Sequence, residues 1–214
     1  MNNLSCRWML FLCLIISSAA QGQKVTRYVL SDLFRTNNLI AENPKYTITD
    51  TAGKQSVTAA GIVFLKNVKF STGSIDIDIR GKDVFQQSFV GIAFHAVDTI
   101  TYDAIYFRPF NFQSVDILRR KHTVQYMSEP DFPWDKLRKE HPLVYESQVT
   151  PVPKASDWFH AHIVVSKNEI IVHVNHSKIP SLKVKKLNTR NNGQIGLWSS
   201  ALAGDFANLE IVEE

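Results

Sequence analysis

The chain has 214 residues and a formal net charge of +4, which falls to +3 without residues 1–20, because that segment holds one basic residue, Arg7, and no acidic one. The basic runs Arg119-Arg120-Lys121 and Lys183-Val184-Lys185-Lys186 read as solvated strand ends, so charge gives no reason to expect a nucleic-acid partner. Both cysteines, Cys6 and Cys13, lie in the N-terminal segment, which excludes a disulfide, a thiolate metal site or a thiol nucleophile from the remainder and leaves its stability to the core.

Residues 1–20 read as a secretory signal peptide. Arg7 supplies the positive start, Trp8 to Ile16 the apolar stretch, and Ser18-Ala19-Ala20 the small residues of a cleavage site. The uninterrupted apolar run falls short of the roughly 20 residues that cross a bilayer, so no membrane span is expected in the mature chain and its destination is secreted or periplasmic. Residues 24–214 have the length of one all-β domain.

Period-2 alternation then dominates. Strands are expected at Gly61 to Phe64 and at Ser74 to Arg80, where Ile75, Ile77 and Ile79 point one way and Asp76, Asp78 and Arg80 the other. Phe89 to His95 sets Val90, Ile92 and Phe94 against Phe89, Gly91, Ala93 and His95, and Tyr102 to Phe110 places Tyr106 and Arg108 together. Further strands are expected at Val115 to Leu118, His122 to Tyr126, Trp158 to Ser166, Ile170 to Val174, Lys183 to Leu187, Gln194 to Ser199 and Phe206 to Glu210. Asn175-His176-Ser177 reads as the tip of a hairpin. Between Gln125 and Asp157 lie five of the eight prolines, with a short helix expected from Pro133 to Glu140 and Asp131 placed to cap it. A connection of that length with so many aromatics predicts an ordered loop packed on the sandwich, forming one wall of a binding site.

The run GQIGLWSS from Gly193 and GDFANLEI from Gly204, the hairpin VHVNHSKIP from Val172, GSIDIDIRG from Gly73 and FVGIAFHAVDTITYDAIYFRPFNFQ from Phe89 together resemble the strands of concanavalin-like and laminin-G-like jelly rolls. They are most similar to the 3-keto-disaccharide hydrolase group, often labelled family 16 glycoside hydrolases. The resemblance spans most of residues 24–214. It implies two curved antiparallel sheets whose concave face receives carbohydrate, while fold alone does not establish function.

Glycoside hydrolysis needs two carboxyl groups flanking the scissile bond, and Asp76 and Asp78, two apart on one strand face, are the candidate acid and base. The Glu-x-Asp-x-x-Glu signature of family 16 glucanases is absent from the sequence. His95, Tyr106 and Arg108 could converge on the concave sheet, where a guanidinium binds a hydroxyl pair or a carboxylate with two parallel bonds. Asn111 and Gln125 add amide donors and acceptors, while Tyr126, Trp134 and Trp198 offer flat faces for a pyranose ring. His160, His162 and His173 could share a face suited to zinc, but exposed histidines on an alternating strand need no such explanation, and neither a metal nor another cofactor is expected. No phosphate loop and no Gly-x-Ser-x-Gly elbow is present. Two readings therefore stand side by side: a secreted glycoside hydrolase-like enzyme acting on di- or oligosaccharides, and a non-catalytic, lectin-like carbohydrate-binding module.

Overall fold

A computed structural model of the chain describes residues 23–41, 48–51 and 55–214; the signal-peptide expectation for residues 1–20 lies outside them. In chain order the elements are β1 (Lys24–Tyr28), α1 (Leu30–Arg35), β2 (Leu39–Ile40), β3 (Ile48–Thr51), β4 (Ser56–Phe70), β5 (Gly73–Arg80), β6 (Ser88–Ala96) and β7 (Tyr102–Phe107). They continue with α2 (Ile117–Arg120), β8 (Val124–Glu129), α3 (Trp134–Glu140), β9 (Glu146–Ser147), β10 (Phe159–Val165), β11 (Glu169–Val174), β12 (Leu182–Lys185) and β13 (Gly193–Glu213).

All the strand pairs are antiparallel, and the hydrogen-bonded order is β12-β11-β10-β5-β13-β6-β7-β8-β9. The two strands expected at Gln194 to Ser199 and Phe206 to Glu210 are halves of the single long β13. Its first half, through Ala201, pairs with β6, and its second half, from Asp205, pairs with β5 and β1. Between them the register shifts at Ser199/Gly204 and Ala201 takes φ 66°, so the strand turns from one layer of a jelly-roll sandwich into the other. The expected all-β sandwich is the fold observed.

The core lies between the layers. Ile75, Ile77 and Ile79 of β5, with Phe159, Ala161 and Ile163 of β10, face Ile92, Phe94, Ile105 and Phe107 of β6 and β7, and all are buried. The alternation read from the sequence is thus the alternation of the pleat, in which inward residues are apolar and outward ones polar. A second apolar cluster covers the outward face of the first layer: Ile62, Phe64, Ala93, Tyr102, Ala104, Tyr106, Met127 and Trp198 pack there beneath Leu137 of α3.

Three local expectations change. Val115 to Leu118 is not a strand, because the Asp116 carboxylate accepts a hydrogen bond from the Leu118 amide and caps α2, leaving Val115, Ile117 and Leu118 exposed. The strand begun at Tyr102 stops at Phe107, where Pro109 opens a single 3₁₀ turn over Pro109–Asn111. Helix α3 forms where expected, but its N-cap is Pro133 and no side chain caps it. The hairpin tip is as read: Asn175 and His176 both have positive φ, and the Ser177 amide bonds Val174 O across them.

Candidate functional site

Strand parity builds the site. Tyr102 and Tyr106 on β7, Arg108 just past its end, Gln125, Met127 and Glu129 on β8, Phe89 on β6 and Trp198 on β13 all project from the outward face of the first layer. Small residues in the same rows give them room. Gly91 lies opposite Tyr106, and a Cβ there would sit 2.0 Å from Ile105 O. Over this floor the Gln125 to Asp157 segment folds α3, whose residues Trp134 and Arg138 share one helical face at i and i+4. Between floor and wall is a cavity of about 720 Å³ lined by Phe85, Phe89, Tyr102, Tyr106, Arg108, Phe110, Asn111, Arg119, His122, Met127, Glu129, Trp134, Arg138 and Trp198, among others.

Its polar groups are held in place. Arg108, buried, donates to the Tyr106 hydroxyl and Gln125 Oε1 at 2.5 Å each and to His122 O at 3.1 Å. Tyr106 in turn donates to Gln125 Oε1 at 2.8 Å, and Gln125 Nε2 donates to Trp134 O at 3.3 Å, which ties the floor to the helix. Arg119 bonds Asn111 Oδ1 at 3.0 Å and Phe110 O at 3.2 Å. Behind the wall Glu146 accepts from Arg138 at 3.0 and 2.6 Å and lies 2.8 Å from His122 Nδ1 and 3.5 Å from Arg108. Burial pushes the Glu146 carboxyl up, but the Arg138 bonds and the surrounding positive charge outweigh it and hold the group below its ordinary value. Burial lowers the Arg108 pKa and raises those of Tyr106 and Glu129, the last with help from the charge of Asp135. Aromatic faces complete the site. The Tyr106 and Trp198 rings are 5.0 Å apart, Arg108 lies 4.8 Å from the Tyr106 ring, and the Trp134 side chain is 47% exposed and open to a ligand.

Of the residues singled out in the sequence, Tyr106, Arg108, Asn111, Gln125, Trp134 and Trp198 meet here, and the proline-rich segment does form a wall. The others do not join them. His95 was expected beside Tyr106 and Arg108 but points into the sandwich: a bulge opposite Gln194/Gly196 and φ 49° at His95 shift it onto the face of Phe94, where it stacks 5.9 Å from Phe70. There it lies 3.3 Å from Asp103 Oδ2, and its Nε2 is 2.7 Å from Ser71 O. Tyr126 also faces inward and donates to Asp103 at 2.9 Å; Asn188 and Arg190 bond the same carboxylate.

Asp76 and Asp78 lie on the outward face of the other layer. Asp76 is 3.0 Å from His160 Nε2 and 2.8 Å from His162 Nδ1, Asp78 is 2.9 Å from His160 Nδ1, and Asn208 donates to Asp78 at 2.7 Å. The histidine face considered for zinc therefore meets carboxylates, which engage both ring nitrogens of His160 and Nδ1 of His162, while His173 Nδ1 lies 2.9 Å from Ser177 O. No group of three or more His, Cys, Asp or Glu among the described residues is placed to hold a metal ion.

Sequence reasoning did not single out Arg119, His122, Arg138 or Glu146 for the site. Arg119 stood in a basic run read as a strand end, and the i, i+4 pairing of Trp134 with Arg138 was the one available signal for a second arginine.

No family model matches the sequence, and no curated protein is significantly similar to it. Solved structures share its fold at low identity. A galectin-like protein of unknown function from Bacillus subtilis is 12% identical over 90% of this chain and 98% of its own, with a TM-score of 0.60. The carbohydrate binding module CBM66 from Bacillus subtilis is 14% identical over 81% of this chain and 95% of its own, with a TM-score of 0.57. Domain 4 of AbnA, a GH43 extracellular arabinanase from Geobacillus stearothermophilus solved in complex with arabinotriose, is 14% identical over 89% and 93%, with a TM-score of 0.51. These likenesses establish the jelly-roll fold.

Proposed function

We propose that the protein is a secreted carbohydrate-binding module that holds a di- or oligosaccharide in the cavity between α3 and the outward face of the first layer. The observation that carries this reading is the cavity itself. Its volume of about 720 Å³ lies within the range that encloses small ligands, its walls combine aromatic rings with fixed hydrogen-bonding groups, and Glu129 is the one carboxylic side chain among its lining residues. Trp134, Tyr106 and Trp198 offer apolar ring faces to a pyranose, while Arg108, Asn111 and Arg119 offer donors to its oxygens. The fold likeness to a carbohydrate binding module and to an arabinanase domain solved with a trisaccharide supports it.

Binding is favoured over hydrolysis by the carboxylates. A glycosidase needs two, and Asp76 and Asp78 are on the other layer, while both Glu146 oxygens are engaged by Arg138. The likeness to the 3-keto-disaccharide hydrolase group makes 3-keto-glycosides the first substrates to try against this reading. Glycan-array screening followed by calorimetric titration should find ligands whose binding is lost in Trp134→Ala and retained in Asp76→Asn and Asp78→Asn. Turnover of a disaccharide, 3-keto-glycoside or β-glucan that disappears in Glu129→Gln would replace the module with an enzyme.

A further inference from the structure

The cavity is electrically polarised along the strands that floor it. Arg108 leaves the end of β7 beside Thr123, where Arg119, His122 and Arg138 join it; Glu129 stands at the other end, opposite Tyr102. Gln125, bonded to Arg108, and Glu129 are four positions apart, which spans about 13 Å of strand. Tyr106, Met127 and Trp198 fill the interval with apolar surface.

At the arginine end, cations outnumber anions. Glu146 is the one carboxylate within ion-pair distance of Arg108 and Arg138 among the described residues, and they share it. Arg119 has none among the described residues: its hydrogen-bond partners are the neutral Asn111 amide oxygen and Phe110 O, and its guanidinium lies 4.2 Å from the Phe85 ring. Three guanidiniums against one carboxylate leave positive charge in excess at this end of the pocket, where Arg108, sharing Glu146 with Arg138, is 4% exposed. A buried cation lacking its counter-charge is unfavourable, and an arriving anion relieves it.

Resting on the carbohydrate-binding reading, we infer that the ligand is an acidic glycan, with the carboxylate of a uronic acid bound between Arg108 and Arg119 and the rest of the oligosaccharide running over Trp198 toward Glu129. The planar guanidiniums match a carboxylate geometrically as well as electrically. The Glu129 end repels a second acid group, so the acidic sugar enters at the arginine end only.

Calorimetric titration of the full chain with galacturonic, glucuronic and mannuronic acid trimers, each beside its carboxyl-reduced form and an O-sulfated neutral trimer, tests this. At least one uronide should bind about tenfold or more tighter than its reduced form, an advantage that shrinks as salt rises from about 20 to 200 mM. Arg119→Gln should lose most of that advantage with an unchanged melting temperature, and Arg119→Lys should keep part of it. Neutral trimers binding as tightly as every uronide would overturn the acidic assignment and leave the carbohydrate reading standing. Tighter binding of the sulfated trimer would overturn the carboxylate. Binding of no trimer of any kind would remove both.

Discussion

The outward faces of the two layers make an instructive pair. Each carries histidine and carboxylate within hydrogen-bond reach. On the second layer, Asp76, Asp78, His160 and His162 alternate on flat neighbouring strands and satisfy one another across the β5–β10 register, with Asn208 closing the end. On the first, large aromatics alternate with Gly91, Ala93 and Ala104, a helix stands over the floor, and the polar groups are fixed from behind while still facing a cavity. The difference is room. A cluster of titratable groups that consumes its own valences on a flat face stabilises a sheet, whereas pinned groups around an empty volume present a surface to something else.

Breaking the back of the cavity should have the largest effect. Glu146→Gln leaves Arg108 and Arg138 without their shared carboxylate, and we expect a loss of about 3 kcal/mol in stability by urea denaturation. Trp134→Ala removes a ring that is half exposed, so stability should change by less than about 0.5 kcal/mol while glycan affinity, measured by titration, falls about tenfold or more.

The second face should respond to pH rather than to sugar. Hydrogen bonds to Asp76 and then Asp78 push His160 up to about 9 from its ordinary 6.5. Because the folded value is raised, the stabilisation is complete below about pH 6.5 and is lost as pH rises through about 9. His160→Gln should therefore lower stability by about 1 kcal/mol at pH 6 and by progressively less toward pH 10 in denaturation curves. The smallest expected effect is on binding: Asp78→Asn should leave glycan affinity within about twofold of the parent, because no residue of this face lines the cavity.

How far the sequence spoke depends on what each residue obeys. The isoleucines of β5 follow period 2 without interruption, and their faces were legible at sight. His95 was not, because one bulge against β13 shifts the parity of a single position and no residue type announces it. Tyr126 could have been assigned correctly by the same periodicity, since it follows Gln125 on β8 and two successive strand residues cannot share a face. Arg119 and Arg138 come from helices of four and seven residues, whose approach to the cavity is set by the path of the loops and by partners outside those helices, Asn111 and Glu146. The Gln125 to Asp157 wall was legible because its length and its aromatics are properties of composition, which tertiary packing does not alter.

The most direct measurement is a crystal structure of the protein with the tightest ligand from the glycan screen. The expected result is a sugar ring against Tyr106 and Trp198, with an anionic group beside Arg108 and Arg119. Sugar bound on the Asp76–His160 face, with the cavity under Trp134 empty, would contradict it.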